Sequence, residues 1–289
     1  MDIATSRNGL RALRGFFGLL VVFLYAPILI LAIFSFNDGV LPTFPLKGFT
    51  LRWYEQFLSN PELLEALRTS ARVAAVSSIL AVSLGVLAAI VMVRRRFRGK
   101  AAASAFLLSP LVIPYVVFGI ALLILFFAVD TFLQSTFGLE LGLGWRAVVI
   151  GHVVVSMPFT ILVLVPRLER INVALEEAAR DLGASGLRTF RSITFPLIMP
   201  AIVSALVIAF TLSFDEFAIA SFLASTDTTY PLYLFSQLRF PTRLPQMLAV
   251  SVVVIFLSIL VVLLAEIGRR VAERRLAVEP STAIGGSGA

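Results

Sequence analysis

The sequence predicts an all-α, polytopic membrane protein with six transmembrane helices. Hydrophobic residues make up 59% of the 289 residues, and the mean hydropathy is +0.97. Charged residues account for only 14%, whereas an ordinary soluble domain carries about 25%. So little polar surface excludes a water-soluble globule. The apolar residues also fall into runs near the ~20 residues that a helix needs to cross the hydrocarbon core.

Six apolar runs predict the helices in chain order: 16–36, 71–93, 103–129, 146–166, 201–224 and 248–267. The first run follows three arginines, as in a signal peptide, but it is longer than a signal's ~7–15 apolar residues and no small-residue cleavage site follows. We therefore interpret it as a retained extra helix before a core of about 71–267. We treat 1–289 as one transmembrane domain and predict a flexible tail at 277–289, where the chain ends in GGSGA.

The basic residues predict the orientation of the chain. By the predicted spans, 17 of the 24 Lys and Arg residues lie on one side of the membrane: Arg7, Arg11, Arg14, Arg94, Arg95, Arg96, Arg98, Lys100, Arg167, Arg170, Arg180, Arg188, Arg191, Arg269, Arg270, Arg274 and Arg275. The positive-inside rule then places both termini and residues 167–200 in the cytoplasm. The net charge of +7 is thus an orientation signal beside membrane lipid, and it does not indicate binding to nucleic acid.

Residues 167–200, which we call the 167–200 segment, form a charged amphipathic stretch between the fourth and fifth spans. Asn172 can cap a helix there, and Gly183 can end that helix in a positive-φ conformation. Residues at i, i+3, i+4 and i+7 predict one apolar face of this helix: Leu175, Ala178, Ala179 and Leu182. Four charged residues predict the opposite, solvated face: Glu176, Glu177, Arg180 and Asp181.

A second short helix is predicted at about 187–195, with Pro196 and Pro200 marking the re-entry into the membrane. Spacing alone leaves two interpretations of the 167–200 segment open. It could dock in a groove of another protein, or it could be a connector lying on the membrane surface.

The order of residues in this segment is similar to the EAA motif of binding-protein-dependent ABC importer permeases. Glu177, Ala178 and Ala179 are followed by three residues and Gly183, and then by nine residues before Ile193, one residue, a hydrophobic residue and Pro196: EAARDLGASGLRTFRSITFP. Phe195 stands where the family usually has Leu. The stretches SFND, GFTLRWYEQFL, RRRFRGK and TLSFDEFAIASFL resemble spermidine/putrescine-type permeases, and the resemblance covers about residues 11–276.

This resemblance implies a type I ABC importer permease bundle in the inner membrane. A polyamine is the favoured solute, and another small solute of the same importer class is the alternative. The resemblance also implies a second homologous permease, a cytoplasmic ATPase dimer that docks on the EAA helix, and an outer binding protein that delivers the solute. Glu177 would contact the ATPase, Ala178 and Ala179 would allow its close approach, and Gly183 would set an elbow.

Neither an ATP site nor a metal site is predicted in this chain. The phosphate-cradling motif G-x-x-x-x-G-K-[ST] is absent, and its nearest match, RRFRGKA, is a basic loop. ATP would therefore bind to the partner ATPase. One histidine and no cysteine argue against a conventional transition-metal site.

Two adjacent carboxylates, Asp215 and Glu216, fall within the predicted fifth span. A charge near the bilayer centre costs ~2.5–3.5 kcal/mol, so such residues are functional candidates. We predict a cation-attracting translocation path, with a wall of phenylalanines for an alkylammonium chain: Phe210, Phe214 and Phe217. The alternative is a structural pairing with Arg72, Arg146 or the partner permease.

Two other classes of protein remain as alternatives. GASG at 183–186 matches the nucleophile motif of intramembrane serine proteases, but Ser185 and His152 are predicted at different depths, and we interpret His152 as a structural hydrogen-bond partner. A secondary transporter would work without an ATPase. Co-purification separates these classes, because only the importer permease should bring down an ATPase, a second permease and a binding protein.

Overall fold

The computed structural model describes residues 7–282, with side chains for residues 9–270. This part of the chain is helical and contains no β-strand beyond one isolated bridge between Asn37 and Phe49. The α-helices are α1 Arg7–Ser35, α2 Arg52–Leu58, α3 Pro61–Arg94, α4 Lys100–Leu108, α5 Tyr115–Phe137, α6 Trp145–Glu169, α7 Val173–Asp181, α8 Gly186–Thr189, α9 Phe195–Phe214, α10 Ala218–Leu223, α11 Tyr230–Gln237 and α12 Leu244–Thr282.

Six helical stretches among the described residues are long and apolar enough to cross a membrane: Gly9–Ser35, Pro61–Arg94, Tyr115–Phe137, Trp145–Glu169, Gly186–Phe214 and Pro241–Arg270. The predicted all-α class with six spans is confirmed. None of the most apolar window of the first stretch is buried within the chain, which leaves α1 available to lipid or to another subunit.

The predicted third span, 103–129, is wrong in its position. The helix breaks after α4 at a 3₁₀ turn, Ser109–Leu111, and α5 starts only at Tyr115. Pro110 and Pro114 cause the break, because proline lacks a backbone donor and its ring clashes with the preceding turn. The crossing helix therefore runs from Tyr115 to Phe137.

The predicted fifth span, 201–224, is also displaced. Its helix ends at Phe214, and residues Ala218–Leu223 form a separate short helix. At the other end there is no separate helix at 187–195, since α8 runs through a π-helical turn, Phe190–Thr194, directly into α9. Pro196 sits in the first turn of α9, where a missing N–H costs no hydrogen bond.

The last helix, α12, is described as far as Thr282, so it extends into the predicted tail. The remaining predicted tail, 283–289, lies outside the described residues.

The chain divides into two units. The first takes residues 7–64 and 234–257 of the described part. Ser35 Oγ lies 2.7 Å from Tyr54 Oη in this unit, and Trp53 Nε1 donates to the carbonyl of Asn37 at 2.9 Å. These contacts fix α2 against the end of α1.

The second unit takes residues 65–233 and 258–282 of the described part and contains two hydrophobic clusters. One packs α3, α5, α6 and α10 together, with Val73, Val148 and Ile219 fully buried. The other packs α3, α6 and α9, with Leu164 and Ile198 fully buried. The whole 167–200 segment and both carboxylates belong to this unit.

Candidate functional site

Both ends of α7 follow the predicted sequence signals. Asn172 Oδ1 accepts a hydrogen bond from the N–H of Ala174 at 3.0 Å, which caps the helix as predicted. Gly183 has φ +84° and donates its N–H to the carbonyl of Arg180 at 2.9 Å. A Cβ at Gly183 would meet nothing within 4 Å, so glycine is required by the backbone conformation alone and not by a close contact.

The predicted apolar face of α7 points away from the rest of the chain, and we call its residues the α7 stripe: Leu175, Ala178, Ala179 and Leu182. Leu175 is 49% exposed and Leu182 is 89% exposed. Ala178 and Glu177 are exposed, and Ala179 is half-buried. The residues predicted to meet a partner are thus accessible within this chain.

Glu176 is buried, with 4% of its surface exposed. Its Oε1 accepts hydrogen bonds from Arg94 Nε at 3.2 Å and Arg94 Nη2 at 3.0 Å. Oε1 also accepts from Thr194 Oγ1 at 2.9 Å. We call Arg94, Glu176 and Thr194 the Glu176 clamp, because these residues tie the end of α3, α7 and the π-helical turn together.

The clamp corrects one prediction. Glu176 was expected on a solvated face, opposite the α7 stripe. The last turn of α3 instead brings Arg94 under α7, and a carboxylate there gains charge-assisted hydrogen bonds. Arg180 Nη2 lies 3.9 Å from Glu176 Oε2, which is a longer contact than those made by Arg94.

The last two residues of the motif lie where the segment joins the membrane helix. Ile193 is half-buried in the π-helical turn, and Pro196 is in the first turn of α9. Phe190 and Phe195 pack edge to face across this turn, with ring centroids 5.9 Å apart. The predicted site from Glu177 to Pro196 therefore forms one continuous surface segment leading into α9.

A polar cluster lies inside the helical bundle. His152 Nδ1 is 2.7 Å from Ser213 Oγ, which accepts a hydrogen bond from Ser77 Oγ at 2.8 Å. His152 Nε2 lies 3.2 Å from Glu216 Oε2, an ion-pair distance, although the approach is too bent for a well-formed hydrogen bond. All four side chains are buried. We call Ser77, His152, Ser213 and Glu216 the His152 cluster, in which His152 is a hydrogen-bond partner of Ser213.

Glu216 also caps a helix. Its carboxylate accepts from the N–H of Ile219 at 2.9 Å and from the N–H of Ala220 at 3.0 Å, in the first turn of α10. A carboxylate at a helix N-terminus satisfies free donors and interacts favourably with the helix dipole. The carboxylate of Glu216 is therefore held both by His152 and by the backbone N–H groups of α10.

Asp215 has the opposite surroundings. It follows the last residue of α9 and is exposed. The ring of Phe214 stacks on that of Phe210 at 6.0 Å and lies 6.1 Å from that of Tyr230. Because α9 ends at Phe214, the predicted helical face does not extend to Phe217.

The alternative pairing of the carboxylates with Arg72 or Arg146 is wrong, since Glu216 lies against His152 and both arginines contact Trp145. The Arg72 guanidinium lies 3.7 Å above the ring of Trp145, and that of Arg146 lies 5.7 Å from the same ring. Asp227 Oδ2 accepts a hydrogen bond from the backbone N–H of Trp145 at 2.9 Å. These residues therefore form a site apart from Glu216.

The structure does not form the protease dyad. Ser185 caps α8 by accepting from the N–H of Arg188 at 3.4 Å. His152 is engaged with Ser213 and Glu216 instead.

Sequence reasoning missed Arg94, Thr194, Ser77 and Ser213. Arg94 begins a run of three arginines, and nothing in the sequence separates it from its neighbours. The serines carried a signal, because hydroxyl side chains in an apolar span commonly hydrogen-bond between helices.

Two comparisons of sequence identify the relatives of this chain. The family described as "Binding-protein-dependent transport system inner membrane component" matches residues 81–278. The putrescine transport system permease protein PotI of Escherichia coli K12 is 40% identical over 219 residues, covering 75% of this chain and 76% of PotI. The spermidine/putrescine transport system permease protein PotC of the same strain is 34% identical over 263 residues, covering 89% of this chain and 94% of PotC.

The fold has solved counterparts. A chain of a bacterial alginate ABC transporter, in complex with an alginate pentasaccharide-bound periplasmic protein, superimposes with a TM-score of 0.73. The alignment covers 91% of this chain and 94% of that chain at 18% identity. This likeness establishes the shared fold, and the family match covers more than half of the sequence. The chain belongs to the family of binding-protein-dependent transport system inner membrane components, and it is a non-enzymatic, multi-pass permease subunit of an ABC importer.

Proposed function

We propose that this permease carries a polyamine through the inner membrane in an ATP-driven importer. The other components would be a second permease, a cytoplasmic ATPase dimer that binds all the ATP, and a periplasmic binding protein. The exposed carboxylate of Asp215 beside the Phe214 ring carries the proposal for the solute. The names of the two permease relatives, which refer to putrescine and spermidine, support the proposed solute. The periplasmic protein in the alginate complex supports only the proposed binding-protein partner.

The surroundings of Asp215 suit an organic cation. Asp215 follows the C-terminal end of α9, where the helix dipole places partial negative charge. An ammonium group could pair with the Asp215 carboxylate, while its alkyl chain packs on Phe214. Glu216 would act indirectly, by holding α10 in place through its cap and its contact with His152.

Asp215→Asn is expected to lower putrescine uptake about 10-fold or more, because a hydrogen-bonded charge contact contributes ~1.5–3 kcal/mol. Uptake of labelled putrescine into proteoliposomes containing the complete importer measures the effect. Glu62→Gln is the matched control, since it removes one negative charge from an exposed position in the first turn of α3.

Wild-type uptake kinetics in Asp215→Asn would refute the solute role. Identifying the solute held by the cognate binding protein tests the substrate separately. A different solute there would correct the substrate while leaving the permease assignment intact.

The 167–200 segment would transmit ATPase motion into the bundle. With both termini and this segment in the cytoplasm, the ATPase would hold the α7 stripe, and Glu177 would make polar contacts with it. ATPase closure would move α7 and α8, and α9 would follow, because α8 runs into α9 without a break. The translocation path would then switch between outward and inward access.

Gly183→Val tests the elbow between α7 and α8. A side chain at φ +84° strains the backbone by roughly 1–2 kcal/mol, and more for a β-branched residue. We expect ATP hydrolysis to continue while solute transported per ATP falls several-fold. Parallel assays of phosphate release and uptake in the reconstituted importer measure this ratio.

Gly186→Val is the control for this change. Gly186 is also in the 167–200 segment, a Cβ there meets nothing within 4 Å, and its φ is outside the positive region. Normal coupling in Gly183→Val, or equal loss in both variants, would remove the elbow role.

A further inference from the structure

A cavity of about 240 Å³ lies between the end of α6, the first half of α9 and Arg269 of α12, at the 167–200 segment. Its lining comprises Val163, Pro166, Arg167, Arg170, Pro200, Ala201, Ser204 and Arg269. Three of these eight residues are arginines, and none is acidic. We propose that this cavity binds a phosphate-bearing anion, and that the anion is the phosphodiester headgroup of an anionic membrane lipid.

Two of the arginines, Arg167 and Arg170, have guanidinium N–H groups available to a ligand. Arg167 Nε donates to the carbonyl of Leu197 at 3.0 Å, which fixes the guanidinium at the cavity and leaves its two Nη groups for a ligand. Arg170 is exposed. A guanidinium presents its N–H groups in a planar fork that matches phosphate oxygens.

The acidic groups near the cavity do not neutralise these two arginines. Glu266 is held by Arg269 at 2.8 Å and by Arg270 at 2.6 Å, so its carboxylate is already paired with α12 arginines. Glu169 lines a different cavity, with Lys100. Neither of these carboxylates therefore balances the positive charges of Arg167 and Arg170 at the cavity.

The rest of the lining indicates a lipid as the source of the phosphate. Val163, Pro166, Pro200 and Ala201 provide apolar walls beside the arginines. All of the cavity residues belong to helices that cross the membrane or to the turn that ends α6. Basic pockets between transmembrane helices on the cytoplasmic side are suited to anionic headgroups. A headgroup here would bridge the end of α6 and the start of α9, next to the 167–200 segment.

Lipid retention by the purified importer tests the site. The complex is delipidated in detergent, given cardiolipin, phosphatidylglycerol or phosphatidylethanolamine, and its bound lipid is counted by native mass spectrometry. Arg170→Gln should weaken binding of the two anionic lipids about 5-fold, the effect of one basic residue near a membrane surface. Ala201→Phe keeps every arginine but fills the cavity, and it should lower anionic lipid binding at least as much.

Arg95→Gln is the charge control, because Arg95 is exposed in another basic loop. Ala102→Phe is the size control at an exposed position of α4. Equal retention of anionic lipid by all four variants and the wild type would overturn the site. Retention that does not distinguish the anionic lipids from phosphatidylethanolamine would do the same.

A competition arm distinguishes the two sources of phosphate. Inorganic phosphate and glycerophosphoglycerol are added to the lipid-loaded complex. We expect neither to displace cardiolipin at millimolar concentration, because they lack the acyl chains. Displacement by free phosphate that is lost in Arg170→Gln would assign the cavity to a soluble anion and overturn the lipid.

Discussion

Replacing Glu176 with alanine should lower the free energy of unfolding by about 3 kcal/mol, because it leaves the half-buried Arg94 charge without its partner. Arg94 is 17% exposed in its side chain, so water can replace the lost carboxylate only in part. The same change frees α7 from α3 and from the π-helical turn. Transport per ATP should fall with it. Thermal unfolding of the detergent-solubilised complex and the uptake-to-hydrolysis ratio measure the two effects.

A triple variant separates the clamp's charge from its mechanical role. Arg94→Met, Glu176→Met and Thr194→Val together replace the charged cluster with apolar contacts, and stability should return to near wild type. Glu177→Ala, one residue along and exposed, should leave the free energy of unfolding within about 0.5 kcal/mol of wild type. Equal thermal stability of Glu176→Ala and Glu177→Ala would contradict the clamp.

Ala178→Trp should abolish stable ATPase association while leaving this chain folded. Ala178 is exposed, so a larger side chain meets no neighbour within the chain, but it would obstruct the close approach of a partner to the α7 stripe. Disrupting the centre of an interface costs about 2 kcal/mol or more, which is roughly 30-fold in affinity. The ATPase recovered with the affinity-purified permease measures this loss.

Ala102→Trp makes the same change in size at an exposed alanine of α4, and it should leave the ATPase yield unchanged. If Ala178→Trp retained a full complement of ATPase, the α7 stripe would not be the docking surface. Loss of the second permease as well as the ATPase would point to misfolding, and thermal unfolding of the variant settles which occurred.

The apolar runs predicted the number of spans because the bilayer imposes length and composition on any crossing helix. They did not predict where the third and fifth helices stop. Pro110 and Pro114 move the start of the third span by 12 residues, from 103 to 115. An apolar run gives no sign of whether the helix ends within it. Hydropathy shows which residues are apolar enough to lie in the membrane. It does not show where a helix is interrupted, because the residues at an interruption inside the bundle are also apolar.

The candidate site was predictable where the signal is local. Asn172 and Gly183 act on their own helix, so the cap and the positive φ could be inferred from neighbouring residues. The Glu176 clamp joins residues 82 positions apart along the chain, and the His152 cluster joins residues 136 apart. Such contacts depend on which helices become neighbours, and that information is tertiary.

The same reason explains the two carboxylates. In the sequence, Asp215 and Glu216 are equivalent neighbours. In the fold, Glu216 turns into the bundle to meet His152 and the first turn of α10, whereas Asp215 stays exposed at the end of α9. Only the position of the helix end distinguishes them.

The unbroken helical stretch from Gly186 to Phe214 has 29 residues, and at 1.5 Å per residue it is about 44 Å long. Buried residues lie along its whole length: Thr189, Thr194, Ile198, Ala205 and Ser213. Thr194 donates a hydrogen bond to Glu176 near one end, and Ser213 contacts His152 near the other. A displacement of the 167–200 segment would therefore reach the His152 cluster through a single continuous helix, without passing through any loop.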